Sequence, residues 1–402
     1  MSELLREIRR RKGRTGMTII AIALSVSLLI SMNSIAEGLL QSALKDLNES
    51  KRDIIMMTEG KYGIESGHRI ADDIFKNKYI ECISIELGTI ATTLKLSIQN
   101  KKINITAFAE GIVPEKYEKS LTKKERENFP KYGCLGFNKC SDEHYDNNYT
   151  GNWSYEILIS DTIAKKFDID KGSSIYIHYL SDTYLFNVSG VFKTEFTTSG
   201  ALGELYFLIL HLSELQTILK IDKENSTILD RVDRIALTLS NEAKKSKEKV
   251  EEVKNFLKEK YPYYSIITKE DRLKKIQKHV GIATGFYIAI GSVAIIIGML
   301  FLTCIMVISV FERTNEIGVM RAIGISKRSI FSQIFLEALG ICFIGAFLGI
   351  LPGYYGSILL GEYIEASQGI ETDFIVFNIY SIANAVFMTI FLGAFACLYP
   401  AY

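Results

Sequence analysis

Glu312-Arg313-Thr314-Asn315-Glu316-Ile317-Gly318-Val319-Met320-Arg321-Ala322-Ile323-Gly324 is a short charged stretch set between two very apolar runs. Phe286 to Phe311 carries no charge, and Ile330 to Leu360 carries one carboxylate, Glu337. A helix that crosses a bilayer needs about 20 apolar residues, so each run is long enough to span. The loop between them is too short for a domain and reads as a compact helix with charges and an apolar side. This pattern decides the fold class: a membrane protein whose last spans are joined by a surface helix.

The whole-chain averages conceal this. Over 402 residues the net charge is +1 and 48% of residues are hydrophobic, values typical of a soluble protein. The ends of the chain are lipid-soluble and the middle is water-soluble. Near-neutral charge without a long basic stripe argues against a nucleic-acid partner. Length suggests two or three domains.

Counting apolar runs gives four α-helical spans, one N-terminal and three C-terminal. They are 17–38, 281–311 (a stalk and span), 330–360 and 378–399, with a large mixed α/β domain at 39–280 between the first and second. The first run exceeds the ~7–15 residue core of a signal peptide and has no A-x-A-like site after it, so it reads as a retained span. Basic residues set the orientation. Segment 1–16 holds Arg6, Arg9, Arg10, Arg11, Lys12 and Arg14, which favours a cytoplasmic N-terminus. Loop 312–329 adds Arg313, Arg321, Lys327 and Arg328 on the same side. Loop 361–377 has only acids, Glu362, Glu365, Glu371 and Asp373, and is read as outside. Lys269, Arg272, Lys274, Lys275 and Lys278 oppose this topology, but long domains translocate largely regardless of charge. The chain is thus expected in the plasma membrane with 39–280 extracellular.

Within that domain, alternation predicts strands at Asp53–Thr58, Thr92–Gln99, Ile103–Ala109, Ser174–Tyr179, Tyr184–Phe192, Ile235–Leu239 and Tyr264–Thr268. Helical spacing is seen at Ile70–Phe75, Ser160–Phe167, Leu212–Leu219 and Asn241–Tyr261. The last is a charged surface helix with Val250, Val253 and Leu257 on one side. The first and last strands with this helix suggest a βαβ-type unit into which the middle is inserted. Segment 114–155, rich in Lys, Asn and Tyr, reads as an exposed polar insertion with no core of its own. Cys134 and Cys140 are close enough to form a disulfide there, as an extracellular setting permits. His144 nearby makes a metal site the rival reading. Six N-x-S/T triplets, at Asn48, Asn104, Asn148, Asn152, Asn187 and Asn225, all fall in this domain.

Four blocks carry a family resemblance. They are Ile8-Arg9-Arg10-Arg11-Lys12-Gly13-Arg14-Thr15, then Glu312-Arg313 with Glu316-Ile317-Gly318 and Arg321-Ala322-Ile323-Gly324, then Phe335-Leu336-Glu337-Ala338 followed by Gly345, Gly349 and Gly353, then Leu398-Tyr399-Pro400-Ala401. In these blocks and in span order the chain resembles permeases of the MacB/FtsX-like (type VII, mechanotransmission) superfamily, the membrane partners of ABC ATPases. The resemblance implies that Glu312, Arg313, Glu316, Ile317, Gly318, Met320, Arg321 and Gly324 form the coupling helix that receives motion from a cytoplasmic ATPase. The rival is a polar connector that only joins two spans. The resemblance also implies a homodimer or heterodimer with a second permease, and ATP and Mg bound by the partner ATPase and none by this chain. Such families continue past the last span into a short basic tail, whereas the sequence stops at Tyr402.

Read on their own, the loop residues make the same sense. Ile317, Met320 and Ile323 recur at helical spacing as a packing side, and Gly318 and Gly324 permit close approach and a turn. Glu337 lies near the cytoplasmic end of its span. An intramembrane carboxylate there either pairs with a nearby Arg or Lys or serves a proton or substrate role. Gly345, Gly349 and Gly353 share one helix face, a packing face within one chain or between two. Cys304, Cys342 and Cys397 read as small packing residues. No G-x-x-x-x-G-K-[ST] loop, H-E-x-x-H, G-x-S-x-G or convincing Ser/His/Asp set is present, so the chain is not expected to be an enzyme. Two functions remain: an ABC permease subunit driving export, extrusion or mechanotransmission, or an FtsX-like signalling protein that activates an extracellular partner without transport. The substrate is not legible.

Overall fold

The computed structural model describes residues 12–58, 63–88, 93–98, 101–194, 205–224, 227–368 and 379–401. Arg6, Arg9, Arg10 and Arg11 of the basic lead-in, Asn225, and Glu371 and Asp373 of the acidic loop lie outside them. The chain divides into two compact units, one holding the long apolar helices and the other spanning 45–274.

In the first unit, Lys12–Glu49, Lys269–Glu312 and Lys327–Gln368 form helices of 38, 44 and 42 residues. Three helices are long and apolar enough to cross a membrane by length and composition. A fourth, Ile379–Ala401, has 23 residues and so runs about 34 Å at 1.5 Å per residue. All four leave large apolar side chains uncovered, among them Leu24, Phe286, Ile297, Phe347, Leu351 and Phe387. So much exposed hydrocarbon on every helix is costly in water and matched to lipid. The chain is a membrane protein.

Lipid gives helices no hydrophobic reason to associate, so they meet through small residues and polar contacts. The third long helix does this against the first. A Cβ added at Gly345 would lie 2.9 Å from Ile22 Cβ, at Gly349 2.6 Å from the Ala23 carbonyl oxygen, and at Gly353 3.0 Å from Ile30 Cβ. The glycine face therefore packs within one chain. The serines that soften the first span have a matching task. Ser31 Oγ donates to the Gly353 carbonyl at 2.9 Å, and Ser25 Oγ donates to the Ala294 carbonyl of the second long helix at 3.0 Å. Pro352 stands inside the third helix, which continues on both sides of it.

In the second unit a ten-stranded sheet runs in the order β12-β1-β11-β2-β4-β3-β6-β7-β5-β8. Its strands are β1 (Ile54–Met57), β2 (Ile80–Leu87), β3 (Thr93–Ile98), β4 (Lys101–Ile112), β5 (Glu156–Ser160), β6 (Ser174–Tyr179), β7 (Asp182–Phe192), β8 (Phe207–His211), β11 (Arg234–Leu239) and β12 (Ser265–Thr268). Two-residue β9 (Lys223–Glu224) and β10 (Thr227–Ile228) pair separately. β4 also pairs with β8, which closes β3 to β8 into a six-stranded ring. β12, β1, β11 and β2 extend from it as an antiparallel flank. Alternation drives these strands. In β1, Ile54 and Met56 are fully buried while Ile55 and Met57 are half-buried.

One expectation sharpens and two change. The first and last strands pair antiparallel, and the βαβ unit is a split one: β11 and β12, both antiparallel to β1, run parallel on either side of it and are joined by the charged helical segment. The charged segment is two helices, Asn241–Lys244 and Lys247–Lys260, with Val253 and Leu257 buried on one side of the second. Segment 114–155 is not simply exposed. Its Tyr117, Leu121, Leu135 and Phe137 are buried with Ile112, Leu158, Phe192 and Ile209 in a core of their own. The polar composition masks four apolar anchors spread over about twenty residues.

That segment is also fastened by a buried ionic knot. His68 Nδ1 lies 2.8 Å from Asp230 Oδ1, and Nε2 lies 3.7 Å from Asp142 Oδ2. Tyr145 stacks on the His68 ring at 3.8 Å, and Tyr149 Oη donates to Asp230 at 2.9 Å. Burial by itself would push the imidazole down, but the two carboxylates outweigh it and hold His68 up at about 9. The same cation holds Asp142 and Asp230 below the usual carboxylate range against the upward push of burial.

The packing of the bundle and the knot are each open to test. Gly349→Leu drives a side chain into the Ala23–Val26 backbone and lowers stability by about 1–3 kcal/mol. Gly285→Ala, where a Cβ meets nothing within 4 Å, leaves it unchanged or raises it. Thermal unfolding of the chain in nanodiscs reads both. For the knot, a raised histidine stabilises fully below its unfolded value near 6.5 and loses that contribution as pH climbs through about 9. The aspartates act oppositely, contributing above about 3.8 and losing it as pH falls further. Hydrogen exchange in 45–274 should therefore quicken between pH 6.5 and 9 once corrected for intrinsic rates. His68→Gln should lose about 3–5 kcal/mol and abolish that slope. An unchanged slope would contradict the knot.

Candidate functional site

The segment joining the second and third long helices is shaped residue by residue. The second helix ends at Glu312, and Arg313 leaves helical geometry with φ −100° and ψ 9°. The chain restarts as the connecting helix Thr314–Ala322. Its end is a Schellman motif: Ile325 N–H donates to Met320 O at 3.0 Å and Gly324 N–H to Arg321 O at 3.1 Å. Gly324 takes φ +92°, a conformation that glycine adopts without a Cβ penalty. Ser326 Oγ then accepts from Ser329 N at 3.2 Å, starting the third long helix. Glu316 lies in the first turn of the connecting helix and Arg321 in its last, each matched to the helix dipole.

Arg313 does more than break the helix. Its Nη1 lies 3.2 Å from Glu337 Oε2, and both side chains are largely buried. Of the two roles open to Glu337, a pairing partner or a proton or substrate group, the structure supplies the first: a cation. Beside the pair a cavity of about 160 Å³ is lined by Ile317, Met320, Ile330 and Ile334 together with Glu316. Ile317 and Met320 are thus the packed side of the connecting helix. Ile323 departs from the expected stripe: it caps the helix and is 73% exposed, as Val319 is at 63%. Glu312, Glu316, Gly318 and Arg321 are exposed as well. The outward face therefore carries two apolar side chains between acidic and basic ones. Gly345, Gly349 and Gly353 belong to the other face already described and do not join this site.

Cys134 and Cys140 are joined in a disulfide with Cα atoms 5.3 Å apart. His144 is engaged elsewhere, with Gly151 O at 3.0 Å and Thr217 Oγ1 at 3.1 Å. Bridged in this way, Cys134 and Cys140 cannot serve as thiolate ligands, so the three residues do not make a metal site together.

A second charged group in the 45–274 unit escapes a reading of the sequence. Glu86 is almost fully buried, accepts from Ser84 Oγ at 2.7 Å, and pairs with Arg52 at 3.3 Å and with Arg234. Arg234 reaches Glu110 at 2.8 Å. Burial pushes Glu86 up, but the two guanidiniums outweigh it and hold it low. Burial and then the Glu86 charge hold Glu110 up. The signal is a carboxylate within each of the runs Ile80–Leu87 and Lys101–Ile112, and the first alternates apolar and polar residues over Ile83–Leu87, the mark of a strand.

Comparison with known proteins assigns both units. The FtsX-like permease C-terminal model matches 288–402, and the MacB-like periplasmic core domain model matches 15–253. The macrolide export ATP-binding/permease protein MacB of Acinetobacter baylyi is 21% identical over 365 residues, covering 88% of this chain and 50% of that protein. The protein of the same name from Brucella abortus is 20% identical over 378 residues, covering 91% and 53%. The chain thus spans about half the length of these relatives. Among solved structures, the periplasmic region of MacB from Actinobacillus actinomycetemcomitans gives a TM-score of 0.40 at 14% identity, over 59% of this chain and 98% of that one. The extracellular domain of the transporter YknZ gives 0.35 at 10% identity, over 54% and 99%. The two family models together cover nearly the whole chain, and the chain belongs to the MacB-like, FtsX-like family of ABC transporter permeases.

Proposed function

We propose that this chain is the membrane subunit of an ATP-driven machine and that Thr314–Ala322 is its coupling helix. A separate cytoplasmic ABC ATPase would bind ATP and Mg and dock on this helix. A dimer of permeases would then convert ATP turnover into a conformational change of the 45–274 domain. The observation that carries this reading is the division of the helix into two faces. Arg313, Ile317 and Met320 tie it to the third long helix, Glu316 stands at the edge of that cavity, and Val319, Arg321 and Ile323 are exposed. A connector that only joins two spans has no need of an exposed apolar pair flanked by opposite charges.

Charge and redox chemistry support the sidedness this reading needs. Arg313, Arg321, Lys327 and Arg328 favour the cytoplasm for the connecting helix. The Cys134–Cys140 bridge favours an oxidising, external compartment for the soluble domain. ABC ATPases from the same genome are the partners to test, by co-purification with the chain in nanodiscs. Wild type should retain one of them, and Glu316→Lys with Arg321→Glu should reduce retention at least about tenfold, or 1.4 kcal/mol. Correctly inserted wild type that retains none would remove the transporter reading.

A further inference from the structure

The 45–274 unit holds a cavity of about 340 Å³, within the size range of small-molecule sites. Its walls are aromatic. Phe108 and Phe207 face one another at 5.6 Å, and Phe129 stacks on Phe192 at 5.7 Å. Its polar end is the buried charge group: Arg52, Arg234 and Glu110 line the cavity, and Glu86 lies behind both guanidiniums. An apolar slot with a few convergent polar groups is the usual form of a ligand site.

The charge balance at that end selects the ligand. Arg52 and Arg234 are cations. Against its burial, the guanidiniums hold Glu86 low, while burial and the Glu86 charge push Glu110 up as it stays 2.8 Å from Arg234. Among the residues that line the cavity, three cations, Arg52, Arg234 and Lys193, face two carboxylates, Glu110 and Glu125. A specific donor is also left over. The Arg52 Nε–H is buried without a hydrogen-bond partner, although the guanidinium lies 3.3 Å from Glu86 and its Cζ sits 5.1 Å above the Tyr117 ring. Leaving such a donor unpaired is expensive, and an acceptor from a bound molecule would relieve it. A charged oxygen is the strongest acceptor and also offsets the excess cation.

We propose that this cavity binds an amphipathic organic anion, its carboxylate-class head meeting Arg52 and its aromatic or acyl body lying between the two phenylalanine pairs. Neutral apolar molecules would fill the slot but leave the Arg52 N–H unpaired. Amphipathic cations would meet the guanidiniums as like charges. The site stands whether or not the connecting helix binds an ATPase, and whether its ligand is moved or only sensed.

Photolabelling of the full chain in nanodiscs tests this without needing the natural ligand. The probes are 4-benzoylbenzoate and neutral benzophenone, with adducts mapped by peptide mass spectrometry. The anion should label the peptides holding Phe129, Phe192 or Phe207 about tenfold more than the neutral probe, the margin of one charge-assisted hydrogen bond. Excess decanoate should compete, and decanol should compete far less. Arg52→Gln should abolish the preference for the anion. Because Arg52 also supports Glu86, Asn128→Trp serves as a second variant that fills the cavity and leaves the ion pairs intact. It should remove the labelling of these peptides. Equal labelling by the two probes, adducts only elsewhere, or labelling that survives Asn128→Trp would overturn the proposal.

Discussion

A carboxylate in a span needs a partner, and the Arg313–Glu337 pair is where this constraint shapes the protein. Glu337 sits on the third long helix and Arg313 at the break after the second, so their contact at 3.2 Å fixes the connecting helix against the bundle. The pair is largely buried, so salt and solvent screen it little. Removing one partner would leave an uncompensated charge, a loss of about 3–5 kcal/mol for buried pairs. The apolar contacts of Ile317 and Met320 then need only supply orientation. What the pair leaves exposed is the mixed surface of Val319, Arg321 and Ile323, with Glu316 at its edge beside the cavity.

A related constraint governs the helix bundle. Lipid does not drive apolar helices together, so Gly345, Gly349 and Gly353 bring two backbones close and Ser25 and Ser31 reach across to carbonyl oxygens. In the soluble unit water returns the hydrophobic driving force. There buried polar groups gather into paired sets, as in the His68 knot and the Arg52–Glu86–Arg234 group, the second of which leaves the Arg52 Nε–H over. Both sets join segments far apart in sequence. Asp142 and Tyr149 come from the polar insertion, while Asp230 comes from a loop some eighty residues later. They give a Lys- and Asn-rich segment a defined place in the domain.

Local patterns were legible in the sequence, and distant pairings were not. The apolar runs, the strand Ser174–Tyr179 and the helix ending at Gly324 follow from period, length and turn chemistry, which are properties of neighbouring residues. Strands β5 and β8 escape such a reading because each is a nearly continuous apolar run, whereas β2 alternates over Ile83–Leu87 and breaks period only at Cys82–Ile83. The ring closure between β4 and β8 joins residues about a hundred positions apart, and no local period encodes it. The core of segment 114–155 is hidden for a similar reason: Tyr117, Leu121, Leu135 and Phe137 are too sparse to outweigh their polar neighbours. Ile323 reads as a packing residue because helical spacing ignores where a helix ends. Gly324 ends it one residue later and turns Ile323 outward.

The proposed coupling role rests on the exposed face of the connecting helix, whose accessibility can be measured directly. A chain carrying Ile323→Cys, with Cys304 replaced by Ser, can be labelled with a membrane-impermeant maleimide in inside-out vesicles. The measurement is made with and without the cognate ATPase. The introduced thiol should label rapidly from the cytoplasmic face alone, at a rate at least about tenfold lower when the ATPase is bound, since docking buries the side chain. Labelling from the outer face, or a rate that the bound ATPase leaves unchanged, would contradict the coupling role.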